Sequence, residues 1–108
     1  MTRLAGLLAV GLLTVPPLSL TARAADRSST SLACVEAWGE AIYRNLGYDH
    51  IVHVKNGCEK PVLCAISTNV NPDAQKVTVP PGEEREVLTF RGSPARSFVP
   101  KVDCKLLL

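Results

Sequence analysis

Tyr48-Asp49-His50-Ile51-Val52-His53-Val54-Lys55-Asn56 is the stretch on which the fold turns. His50, Val52, Val54 and Asn56 point to one side of an extended chain, and Ile51, His53 and Lys55 to the other. This is the period of two expected of a strand with one buried face. Asn56-Gly57 marks a turn or bulge at its end. Pro61 to Val70 repeats the pattern, with Val62, Cys64, Ile66 and Thr68 on one face and enough β-branched residues to favour strand over helix. After the loop Asn69-Val70-Asn71-Pro72-Asp73 come a short strand, Lys76 to Val79, and the turn Pro80-Pro81-Gly82-Glu83. Arg85 to Arg91 alternates again, Val87 and Thr89 against Leu88 and Phe90. A loop from Arg91 to Arg96 leads to the last strand, Ser97 to Leu107, with Phe98 and, after Pro100, Val102, Cys104 and Leu106 on one side.

Upstream, Leu32 to Tyr43 reads two ways. Leu32, Val35, Trp38 and Ile42 fall near helical spacing, and Glu36, Glu40 and Arg44 stand four apart. Gly39 interrupts the middle and a strand follows at once, so strand is preferred. Six strand-like segments joined by short turns give an all-β fold: a small antiparallel β-sandwich, immunoglobulin-like in general architecture, over residues 32–108. Pro80, Pro81 and Pro100 cannot donate to a ladder and belong at edges, bulges or strand ends.

The beginning of the chain reads as an export signal. Arg3 is followed by Leu4 to Val15 without a charge, then Pro16-Pro17, and Ala22-Arg23-Ala24 fits the small-residue pattern of signal peptidase. Residues 1–24 are expected to be a signal peptide cleaved after Ala24, and 25–31, with Ser28-Ser29-Thr30-Ser31, a flexible lead. A retained anchor would need about 20 apolar residues, and the proline pair interrupts a shorter run, so no stable membrane span is expected after cleavage. Removing residues 1–24 takes Arg3 and Arg23 from the 12 basic side chains and nothing from the 10 acidic ones, leaving ten of each. The electrostatic case for a nucleic acid or anionic membrane partner disappears with them.

Four cysteines in a small exported chain imply two disulfides and a secreted or periplasmic location. A hairpin turning over Arg44 to Tyr48 and centred on Leu46 sets residues summing to 92 face to face, which brings Cys34 to Cys58 and leaves Cys64 for Cys104. A hairpin centred on Pro61 would instead bring Cys58 to Cys64 and leave Cys34 for Cys104. The first pairing is preferred.

Chemistry-bearing patterns are sparse. His50 and His53 sit at an odd separation on one strand, hence on opposite faces, and do not readily share a metal. A packed, hydrogen-bonded His50 is the expected reading. Ser67, Ser93 and Ser97 stand in no nucleophile elbow, and Glu83, Glu84 and Glu86 flank a turn where solvated charge is the default. Neither catalytic residues nor a cofactor is expected. Trp38, Tyr43 and Tyr48 could serve a protein or glycan partner, but core packing is preferred for them. The loop bearing Arg91 and Arg96 is the candidate interaction loop; presented to a trypsin-like protease it would make the chain a secreted inhibitor, the alternative to an exported non-enzymatic structural or interaction module of the cell envelope or extracellular space.

Gly47-Tyr48-Asp49-His50-x-Val52, Asn56-Gly57-Cys58, Pro61-Val62-x-Cys64, Ser67-Thr68-x-Val70-Asn71-Pro72, Gly92-Ser93-Pro94-Ala95 and Val102-x-Cys104 together resemble small exported bacterial proteins of uncharacterised function. The resemblance spans most of residues 34–106. It implies a secreted or periplasmic disulfide-bonded β domain and transfers no activity and no site residue.

Overall fold

The computed structural model describes residues 27–28 and 30–108. The expected signal peptide, residues 1–24, and its cleavage point lie outside the described residues. The described residues form seven strands: β1 Arg27–Ser28, β2 Val35–Arg44, β3 Gly47–Asn56, β4 Val62–Thr68, β5 Gln75–Val79, β6 Glu84–Ser93 and β7 Pro100–Leu106. They form two sheets, β1-β2-β3-β6 and β5-β4-β7, and every strand pair within them is antiparallel. Leu32 to Tyr43 is therefore strand, not helix, apart from the tight turn closed by the Val35 amide on the Leu32 carbonyl (3.1 Å). The two-sheet architecture is that of an immunoglobulin-type sandwich, but the strand order is different. An immunoglobulin constant domain, numbered along its chain, would read 1-2-5-4 and 3-6-7.

Alternation decides which side chains meet between the sheets. Val35, Ala37, Val52 and Val54 from the first sheet face Val62, Cys64, Ile66, Val79, Val102 and Cys104 from the second. The core is built of β-branched and small side chains, and the pleats close on one another without a large aromatic at their centre. Both expected disulfides are formed, Cys34 with Cys58 and Cys64 with Cys104, and no described cysteine is free. Cys64 and Cys104 are direct cross-strand partners on the inner face of β4 and β7.

The β2–β3 hairpin turns on two residues, Asn45 and Leu46, both at positive φ (53° and 67°). Two such residues in succession match the primed turn whose twist suits a hairpin. Val35 consequently pairs with Asn56 and Arg44 with Gly47. Residues summing to 91, not 92, face each other. The expected register is one residue off, because the loop has two residues and not an odd number centred on Leu46.

The expected lead, 25–31, is partly tied down. Arg27 and Ser28 pair with Trp38 and Ala37, and Thr30 forms a parallel bridge to Val102. The Ser31 hydroxyl donates to the Cys104 carbonyl (2.7 Å) and accepts from the Cys104 amide (2.8 Å). At the other end of the chain, Ser97 to Val99 is not strand. Pro100 opens β7, and Val99 exchanges hydrogen bonds with Asn69 instead, its amide donating to the side chain (2.7 Å) and its carbonyl accepting from the Asn69 amide (3.2 Å).

Candidate functional site

On the outer face of β2, β3 and β6, odd-numbered positions of β3 line up with even-numbered positions of the flanking strands. Trp38 lies directly across from His53, and His53 directly across from Glu86. One row away, Lys55 stands between Glu36 and Glu84; on the other side, Ile51 stands between Glu40 and Leu88. The indole of Trp38 stacks on the His53 imidazole, with centroids 5.2 Å apart and planes within 10°. His53 Nε2–H donates to Glu40 Oε1 at 2.9 Å. Its Nδ1 makes no hydrogen bond and stands 3.6 Å from a carboxylate oxygen of both Glu84 and Glu86.

The site is thus an aromatic stack ringed by carboxylates, with the three glutamates half-exposed and the histidine mostly covered. Four carboxylates, those of Glu36, Glu40, Glu84 and Glu86, share this face with Lys55, with Arg44 at the end of β2 and with Arg27 of β1, which stands across from Trp38 in the register. An arrangement of this kind attracts a cation and offers it an aromatic surface. Among the described residues no group of His, Cys, Asp and Glu is arranged to hold a metal ion.

His50 points the other way, as its spacing from His53 requires. It is fully buried, stacked on Phe98 at 4.3 Å, and its Nε2–H donates to the Ala95 carbonyl at 2.7 Å. Room for Phe98 comes from Gly39, where an added Cβ would stand 2.8 Å from the Phe98 ring. The glycine that argued against a helix is what lets this ring approach the sheet.

Trp38, Tyr43 and Tyr48 were expected in the core and are not part of it. Trp38 faces outward, while Tyr43 and Tyr48 pack edge to face (5.1 Å) near the tip of the β2–β3 hairpin, with Tyr43 59% exposed. For Trp38 the physical reason is the hairpin register, which turns Val35 and Ala37 inward and Trp38 out, whereas Tyr43 and Tyr48 share the inward parity and lie at the tip, beyond the core.

Arg91 and Arg96 are both exposed, but they do not lie on one projecting loop. Arg91 belongs to β6, where a bulge brings Gly92 to positive φ (71°) and its amide to Asp49 Oδ1 (3.0 Å). Ser93 is buried, its side-chain oxygen accepts from the Ala95 amide (3.0 Å), and the Ala95 carbonyl is the one held by His50. The middle of the segment is fastened to the domain, with one arginine on either side.

Sequence reasoning passed over two residues of weight. Asn56, which the alternation puts on the face of His50, Val52 and Val54, is a buried hub, and His53, which it puts on the opposite face and which does not readily share a metal with His50, is the centre of the outward site. The His53 neighbourhood was encoded in the alternation of β2, β3 and β6, but placing it needed the register. No family model, no curated protein and no solved structure matches this chain. Among the described residues no helix is long and apolar enough to cross a membrane.

Proposed function

We propose that this small disulfide-bonded all-β domain is a non-enzymatic interaction module that works in a secreted or periplasmic setting, and that it binds a basic segment of another protein on the Trp38–His53 face. The observation that carries this reading is the aromatic stack enclosed by Glu40, Glu84 and Glu86. A lysine or arginine laid against the indole gains cation–π attraction, and the carboxylates around it supply complementary charge. Two disulfides fit an oxidising compartment and hold a domain whose core is made of small side chains. The earlier resemblance to exported bacterial β domains points to the same setting.

Trp38 is the one tryptophan of the chain, so its emission reports on this face directly. Titration with an arginine- and lysine-containing peptide should shift the emission saturably, and the apparent affinity should fall as salt is raised through the physiological range. Glu84→Gln combined with Glu86→Gln should weaken binding about tenfold or more, since two charge-assisted contacts are removed. A response to neutral oligosaccharides with none to the peptide would reject the basic partner in favour of a glycan, and no response to either would remove the proposed site.

A further inference from the structure

Every sheet edge exposes backbone donors and acceptors that invite another strand unless something blocks them. In this domain several edges are blocked by side chains. On β6, the Leu88 carbonyl accepts from Gln75 (3.1 Å) and the Thr89 carbonyl from Asn71 (2.6 Å). On β7, Ser31 engages both the amide and the carbonyl of Cys104, and Thr30 bridges to Val102. β5 is five residues long and runs directly into Pro80.

β2 is different. It has ten residues and pairs with β3 along its whole length, but on its other side β1 covers Trp38 and Ala37 alone. From Gly39 to Arg44 the edge has no ladder partner among the described residues, and the stretch carries neither a lysine nor a proline to discourage pairing. Beyond it, the hairpin tip presents Leu46 at positive φ and 90% exposed, a costly place for a bulky apolar side chain.

The sequence of this edge is self-complementary. Laid antiparallel on a second copy and centred on Ile42, it sets Glu40 across from Arg44, Ala41 across from Tyr43, and Ile42 across from Ile42. Both charged side chains are about half-exposed and reachable. We propose that the protein forms a two-fold dimer by antiparallel pairing of β2 with β2 of a second copy, joining the two first sheets into one continuous sheet. Such an interface is isologous and closed, with each Glu40–Arg44 pair made twice. Opposite charges directly across strands favour the register, and like charges there oppose it. Glu40 belongs to both the dimer edge and the outward His53 face, so the two proposals are told apart by Glu84→Gln with Glu86→Gln, which alters the partner site and leaves the β2 edge untouched.

The test is sedimentation equilibrium of the exported protein over a wide range of concentration. The expected result is a reversible monomer–dimer equilibrium. Glu40→Arg and Arg44→Glu should each raise the dimer dissociation constant about tenfold or more, because two attractive pairs become repulsive. The double variant Glu40→Arg, Arg44→Glu should return close to the wild-type constant. That recovery reads the contact between copies specifically, since the double variant does not rebuild the Glu40–His53 and Arg44–Asp49 contacts within each chain. Ile42→Lys, which leaves both charges in place, should also dissociate the dimer while circular dichroism shows the strand signal intact. A monomer at every concentration overturns the proposal and assigns the edge to another occupant, such as the chain's own residues before Arg27. A dimer indifferent to Glu40→Arg and Arg44→Glu, or one not recovered in the double variant, overturns it equally.

Discussion

Asn56 sits fully buried at the end of β3 and holds five hydrogen bonds there. Its side-chain amide donates to the carbonyls of Lys60 and Val79 (both 2.9 Å), and its side-chain oxygen accepts from the Cys58 amide (2.7 Å). Its backbone amide donates to the Glu83 carbonyl and its carbonyl accepts from the Gly82 amide. One residue thereby joins the end of β3, the Cys58 loop, the end of β5 and the turn into β6. That turn is itself specified locally: Pro81 and Gly82 occupy its centre, Gly82 at φ 77°, and the Glu83 amide closes it on the Pro80 carbonyl (3.1 Å). Asn56→Ala would strand two buried polar groups, the Val79 carbonyl and the Cys58 amide, away from water, and each costs about 1–3 kcal/mol. We therefore expect a loss of about 2 kcal/mol or more in urea unfolding, with Asn56→Asp no less costly at neutral pH, because its buried carboxylate would face the two carbonyl oxygens that the amide donates to. An unchanged midpoint for Asn56→Ala would show that water replaces the side chain without cost.

At the scale of elements, a single residue of register separates the sequence reading from the structure. A hairpin centred on Leu46 would set Trp38 opposite Val54, on the core side. The two-residue turn at Asn45 and Leu46 sets it opposite His53, on the outside. A slip of one residue moves every side chain of a strand to the other face, which is why the outward aromatic site was not legible. The Cys34–Cys58 pairing survived the slip because it lies past the last strand pair, where the Gly57 amide donates to the Cys34 carbonyl (2.8 Å) and either register brings the two cysteines close. The second disulfide ties β4 to β7 across 40 residues of sequence. A loop of that length constrains the unfolded chain by about 3–4 kcal/mol, so the Cys64→Ala, Cys104→Ala variant should melt at least about 10 °C lower. Unchanged melting would mean that the bridge contributes nothing beyond what the ladder and the core already supply.

Across the whole molecule, charge is distributed by face. Glu36, Glu40, Glu84 and Glu86, with Asp49, Lys55, Arg27 and Arg44, lie on the outside of the first sheet, whereas Lys76, Lys101 and Lys105, with Asp103, lie on the outside of the second. A mature chain beginning at Ala25 would have ten basic and ten acidic side chains, so its overall balance conceals two faces of opposite sign. The proposed export makes a direct prediction. Intact mass of the protein recovered outside the cytoplasm should correspond to a chain starting at Ala25, and should rise by about four mass units on reduction, two for each disulfide. A chain retaining residues 1–24 would reject the cleavage. The sequence by itself determined what local physics controls: strands, from the period of two; turns, from Pro, Gly and Asn; and two bridges, from four cysteines in a chain read as exported. The tertiary structure alone decided which residues share a face, because strand register depends on a two-residue turn and on the fit of two sheets. The site at His53, the hub at Asn56 and the β2 edge without a ladder partner among the described residues all follow from that long-range choice.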